Sequence, residues 1–71
     1  MQEIAISTEK INLDQFLKWA GLVETGGQVK LLIEDGLIYL NGIAVAERRK
    51  KIHSGDVVEI KGMGVWKVIQ E

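Results

Sequence analysis

Four consecutive cations, Arg48 to Lys51, form the one dense patch of a single charge in this sequence of 71 residues. The whole chain has a formal net charge of −1, so the patch does not reflect a generally basic composition. Arginine recognises phosphate with a planar pair of donors and stacks on exposed bases, and lysine adds a compact charge. The run Arg48, Arg49, Lys50 and Lys51 is therefore a candidate contact for a nucleic-acid backbone. A solvated loop without a partner is the alternative.

If this run is extended, its side chains alternate between two faces. Arg48 and Lys50 then lie on the side of Ile52, and Arg49 and Lys51 on the other side. All four side chains consequently need not touch one ligand.

A second candidate contact lies at the start of a predicted helix, where Gln28 and Lys30 follow two consecutive glycines. The free N–H groups and the dipole of a helix N-terminus attract phosphate, and Lys30 adds a full charge. The glycines allow a close approach to the backbone. Lys10 and Lys18 could extend the same surface. The alternative is an ordinary solvated helix face.

The sequence offers no arrangement suited to catalysis. There is no cysteine, so a disulfide or a thiolate metal site is impossible, and His53 is the only histidine. Asp14 falls in the first turn of a predicted helix and Asp56 in a turn, where both carboxylates have structural reasons to be. With no nucleophile–base pair and no phosphate-binding loop, we expect no enzymatic activity, no cofactor, no metal and no small-molecule substrate.

Length and composition predict one domain over residues 1–71. A chain of this size buries only about 60% of its unfolded surface, but a hydrophobic content of 46% is enough for one thin core. No apolar run approaches the ~20 residues of a membrane span, and the N-terminus lacks the pattern of a signal peptide. We expect a monomer in the cytoplasm, with no membrane partner.

Two short helices follow from capping residues and apolar spacing. Asn12 is predicted to open the first helix in a capping box with Gln15, and Thr25 opens the second with Gln28. Glycines end both helices, at positions 21 and 36. The residues expected to join the helices to the core are Leu13, Phe16, Leu17, Val29, Leu32, Ile33 and Leu40.

The rest of the chain predicts strands. The dipeptide Asn41-Gly42 is a strong signal for a two-residue hairpin turn, because both residues tolerate positive φ. A weak strand signal surrounds Ile4 and Ile6. The other predicted strands cover residues 37–40, 43–46, 57–60 and 65–69. The fold class is therefore α+β, with two short helices packed on one face of a small, mostly antiparallel sheet.

Two capped helices, a Gly-Leu-Ile-x-Leu-Asn-Gly phrase, a basic run and a Gly-Asp-Val-Val-Glu-Ile strand occur here in order. This order resembles the S-four RNA-binding domain, or αL motif, and especially the short stand-alone bacterial proteins of the YaaA or YbcJ kind. The residues that carry the resemblance are Leu13, Asp14, Phe16, Leu17, Gln28, Lys30, Leu32, Ile33, Gly36, Leu37, Asn41, Gly42, Gly55 and Asp56. The chain departs from the wider family at Asn12, Gly26 and Gly27, where many members have basic residues.

The resemblance implies a non-enzymatic protein that binds structured RNA, either ribosomal RNA or its precursor, during ribosome assembly. The second helix and the basic run would flank a groove that follows the RNA backbone, and ribose 2′-hydroxyls would favour RNA over DNA. Because basic residues are missing at these positions, we expect Lys30 and the basic run to make the main phosphate contacts. The alternative is a protein-interaction module that uses Trp19, Leu31 and Trp66 as apolar anchors.

Overall fold

The computed structural model describes residues 1–71, which form two helices and seven strands. In chain order the elements are β1 (Gln2–Ile6), β2 (Lys10–Asn12), α1 (Leu13–Trp19), α2 (Gly26–Glu34), β3 (Ile38–Leu40), β4 (Ile43–Ala44), β5 (Lys51–His53), β6 (Val57–Ile60) and β7 (Gly64–Gln70). A five-stranded sheet has the order β1-β7-β6-β3-β4, and β2 and β5 form a separate two-stranded ribbon. Only the pairing of β1 with β7 is parallel, so the predicted α+β class with a mostly antiparallel sheet is confirmed.

The helix ends follow local chemistry, with one exception. Thr25 and Gln28 form the predicted capping box at the start of α2. Gly21 and Gly36 follow the two helices with φ of 75° and 70°, so both glycine stops are confirmed. The capping box predicted for Asn12 is wrong, because this side chain makes no capping bond to α1.

A type I′ hairpin turn connects β3 and β4, with φ of 51° at Asn41 and 83° at Gly42. The Asn41 side chain also reaches the neighbouring strand. Its Nδ2 donates to Asp56 Oδ1 at 3.1 Å, and its Oδ1 accepts from the backbone N–H of Val57 at 2.9 Å. Asp56 Oδ2 in turn accepts from the backbone N–H of His53 at 2.7 Å. These bonds fix the hairpin beside β5 and β6.

Twelve buried apolar side chains form one core. Leu13, Phe16, Leu17 and Val29 are completely buried, as predicted from helical spacing. The other three predicted core residues are only half-buried, although they pack against the core: Leu32, Ile33 and Leu40. Most of the remaining core comes from strands, whose buried side chains include Ile6, Ile38, Ile52, Val58, Ile60, Trp66 and Val68.

The strand predictions need two corrections. The ribbon of β2 and β5 was not predicted, because each strand has three residues with a single apolar side chain, too few to show a period. The return strand of the hairpin is Ile43–Ala44, shorter than the predicted residues 43–46. No helix reaches the length and apolar character that crossing a membrane requires.

Candidate nucleic-acid interface

The backbone of the basic run is bonded to the start of α1. The backbone N–H of Leu13 donates to the carbonyl of Lys50 at 2.8 Å, and that of Asp14 donates to the carbonyl of Arg48 at 2.9 Å. The first N–H groups of a helix have no partner within the helix, so they need acceptors from elsewhere. Here the basic run supplies the acceptors that a capping side chain usually provides, and α1 therefore fixes the position of the run.

Asn12 contributes to the same junction. Its Oδ1 accepts a hydrogen bond from Lys51 Nζ at 2.9 Å, and its backbone lies opposite Lys51 in the ribbon. Asp14 is buried, and its Oδ1 accepts from the backbone N–H of Gln15 at 2.8 Å. Both polar residues therefore position the basic run and the first turn of α1, which agrees with a structural role for Asp14.

The basic run is not an extended strand over its whole length. The backbone N–H of Lys50 donates to the carbonyl of Glu47 at 3.2 Å, so the run begins with a turn and only Lys51 enters β5. The simple alternation expected from the sequence is therefore wrong. Arg48 lines one cleft, whereas the three residues after it line another: Arg49, Lys50 and Lys51.

The side chain of Arg48 lies against the first residue of α2. Its Nη1 is 3.4 Å from the position that a β-carbon on Gly26 would occupy. The guanidinium therefore lies within van der Waals distance of the N-terminal end of α2. Arg48 also shares a cleft of about 380 Å³ with Lys30, and this cleft includes the carboxylate residue Glu34. The structure thus brings together the two cations that the sequence placed in separate segments.

The larger cleft, of about 740 Å³, lies between the basic run and the β3–β4 hairpin. Arg49, Lys50 and Lys51 line this cleft together with apolar residues of the hairpin. Two acidic residues, Glu47 and Asp56, also line it. Ala46 lines both clefts, so they adjoin on one surface. No sequence signal indicated Ala46, whose small side chain belongs to no recognisable pattern.

The remaining candidates lie apart from the two adjoining clefts. Lys10 lines a third cleft together with Trp19, and the exposed Lys18 lines none of the three. Gln28 is used for helix capping, since its Oε1 accepts from the backbone N–H groups of Glu24 and Thr25. Arg48 and Lys30 are thus the two candidates that line one cleft, and the RNA contacts of all the candidate residues stay predictions.

The Lys and Arg side chains of these clefts form no ion pairs with carboxylates. The chain has nine Lys and Arg residues and ten Asp and Glu residues, yet no Lys or Arg nitrogen lies within 4.0 Å of a carboxylate oxygen. The sole acid–base contact of that kind joins His53 Nδ1 to Asp56 Oδ2 at 3.8 Å. An anionic ligand would therefore meet cations that need not first leave an ion pair.

The three residues predicted as apolar anchors of a protein-interaction module differ in their exposure. Trp66 is buried and its Nε1 donates to Gln2 Oε1 at 3.0 Å, so this residue packs in the core. Trp19 and Leu31 remain exposed. A protein-interaction surface would have to rely on these two side chains, which lie on different helices.

The protein is a small α+β domain with two helices, an Asn-Gly hairpin and a basic run bonded to its first helix. The chain belongs to the S4 domain family, whose model matches residues 4–69. It is 39% identical, over 66 residues, to the probable ribosome maturation protein RlbA of Bacillus subtilis (strain 168). That alignment covers 93% of each chain, so the two proteins are similar over nearly their whole lengths. The resemblance to a short stand-alone member of this family is confirmed.

Proposed function

We propose that this protein is a non-enzymatic RNA-binding protein that acts in ribosome maturation by binding structured ribosomal RNA or its precursor. One observation carries the proposal: Arg48 and Lys30 line one cleft along α2, while the backbone of the basic run is bonded to α1. Membership of the S4 family and the similarity to a probable ribosome maturation protein support the same conclusion. We place the protein in the cytoplasm as a monomer.

The fixed backbone of the basic run favours binding. Ordering a loop when a ligand binds costs free energy, because each immobilised side chain and backbone segment loses conformational freedom. The bonds from Leu13 and Asp14 already hold this loop in the free protein. More of the electrostatic attraction between the cations and phosphate then remains as affinity.

The two adjoining clefts suggest how an RNA backbone would lie. One phosphate would sit between Arg48 and Lys30 in the cleft that they share along α2, and the Arg48 guanidinium also lies beside Gly26, the first residue of that helix. The next phosphates would pass Ala46 and meet Arg49, Lys50 and Lys51 at the larger cleft. Shape and backbone contacts of this kind are typical of proteins that bind structured RNA, and 2′-hydroxyl contacts would favour RNA over DNA.

The salt dependence of binding tests this proposal. Each phosphate contact contributes about 0.7 on a single strand and about 0.9 on a double helix to the slope of log affinity against log salt, so Arg48→Ala with Arg49→Ala should remove roughly 1.4–1.8. Lys30→Ala should remove about half as much. The wild type and these variants would be titrated with ribosomal RNA fragments at several salt concentrations, and circular dichroism would check the fold.

Lys67→Ala is the matched control, because Lys67 is exposed on β7 and lines none of the three clefts. This variant should keep the wild-type slope. If the double arginine variant also kept that slope, the phosphate contacts would be refuted and the exposed apolar residues Trp19 and Leu31 would be tested next as protein contacts.

A further inference from the structure

The third cleft, of about 250 Å³, lies where the end of α1 meets the turn between β1 and β2. Its apolar lining consists of Ile11, which is half-buried against the core, and Ile6, which is almost completely buried. Its polar edge includes Thr8 and Lys10, and the exposed ring of Trp19 completes it. The volume is below the roughly 300–1,000 Å³ of pockets for drug-sized ligands, so the cleft suits one planar ring system.

The indole of Trp19 is held in place although 64% of the residue is exposed. Its Nε1 donates to the carbonyl of Ala5 in β1 at 3.0 Å. A hydrogen bond from the ring nitrogen lies in the plane of the ring, so it occupies the edge and leaves a face available for stacking. The Thr8 hydroxyl donates to the carbonyl of Lys10 at 2.7 Å, which holds the polar edge of the cleft.

The charge of this cleft differs from that of the other two. Glu34 lines the cleft of Lys30, and Glu47 and Asp56 line the larger cleft, whereas Lys10 is the only charged residue that lines the third. Lys10 also has no carboxylate partner. An apolar ring with a free cation beside it complements a nucleobase joined to its phosphate better than it complements a neutral apolar side chain.

We propose that the third cleft is a stacking site for one unpaired base of the bound RNA, with the base on Trp19 and its phosphate at Lys10. This inference rests on the proposed RNA-binding function and extends it, because the site requires an unpaired nucleotide next to the structured element that the basic run binds. Base stacking on an aromatic side chain is tolerant of sequence, since every base has a π face.

Intrinsic fluorescence provides a direct test, because Trp66 is buried and Trp19 is the exposed tryptophan. The full chain would be titrated with oligouridylate, with oligoadenylate and with an RNA duplex of the same length. The single strands should quench the emission of Trp19, and Trp19→Phe should keep most of the affinity. Trp19→Ala should weaken binding of the single strands by about 5- to 140-fold and leave binding of the duplex unchanged.

Met63→Ala is the control, because Met63 is an exposed apolar residue outside the three clefts. It should bind all three probes as the wild type does. The stacking site would be refuted if Trp19→Ala bound the single strands with wild-type affinity, or if its affinity for the duplex fell by as much as its affinity for the single strands. Binding of the duplex by the wild type would in either case still support the proposed function. If neither these probes nor the ribosomal RNA fragments bound the wild type even at low salt, the proposed function itself would fail. Quenching by ribosomal proteins but by neither kind of RNA would assign the cleft to a protein and overturn the proposal.

Discussion

Asn41 combines a backbone role with a side-chain role, and two substitutions can separate them. The residue has φ of 51°, which favours Gly or Asn, and its amide bonds to Asp56 and to the backbone of Val57. Asn41→Gly keeps the backbone conformation and removes both side-chain bonds. Asn41→Ala removes the same bonds and also places a β-carbon in the left-handed region.

The expected costs follow from these two roles. A hydrogen bond contributes about 0.5–1.5 kcal/mol net, so the loss of two bonds in Asn41→Gly should cost about 1–3 kcal/mol. The greater freedom of glycine in the unfolded chain should add roughly 0.4–1 kcal/mol. Asn41→Ala avoids that entropic loss but adds about 1–2 kcal/mol for the left-handed conformation. The order of stability should therefore be wild type, then Asn41→Gly, then Asn41→Ala.

Urea denaturation followed by circular dichroism measures the free energy of unfolding for the three proteins. In a domain of this size, each 1 kcal/mol lowers the melting temperature by about 4–8 °C, so thermal unfolding provides a second measurement. Asn41→Gly with wild-type stability would refute the contribution of the side-chain bonds. Asn41→Ala more stable than Asn41→Gly would refute the backbone argument.

Two further predictions concern the helices. Phe16→Ala should cost roughly 3–5 kcal/mol because the ring is completely buried, and in a domain stable by only ~5 kcal/mol or a little more this approaches unfolding. A melting temperature near that of the wild type would show that the ring contributes little to the core. Thr25→Ala should cost about 1 kcal/mol by removing the Oγ1 that accepts from the backbone N–H of Gln28, whereas Thr25→Ser should be nearly neutral. Chemical denaturation of both variants checks this, and equal stability of Ala and Ser would contradict the capping role.

Features that depend on neighbouring residues could be predicted from the sequence. The capping box of Thr25, the glycine stops of both helices and the Asn41-Gly42 turn each require only local backbone geometry and short-range bonds. The buried positions of Phe16 and Leu17 follow from helical spacing in the same way. Such signals are readable because the physical cause and its effect lie within a few residues of each other.

Features that depend on distant residues could not be predicted in this way. Asn12 is a residue type that commonly caps helices, but its side chain accepts a hydrogen bond from Lys51 instead. The carbonyls of Lys50 and Arg48 accept from the first N–H groups of α1 in its place. The proximity of Arg48 to Gly26 likewise arises from tertiary packing across more than twenty residues of chain. The cations of the candidate site were therefore identifiable by residue type, whereas their division between two clefts was not.

The parallel pairing of β1 with β7 has a consequence for the order of folding during synthesis. Gln2 lies opposite Trp66 and Ile6 opposite Gln70, so the first strand made must wait for the last one. Until residues 64–70 leave the ribosome, β1 has no partner and the apolar side chain of Ile6 has no complete core to enter. Contacts between such distant residues close slowly, because the long intervening loop loses entropy before the contact forms. We expect the helices and the β3–β4 hairpin to form early, and the closing of β1 onto β7 to be the late, slow step.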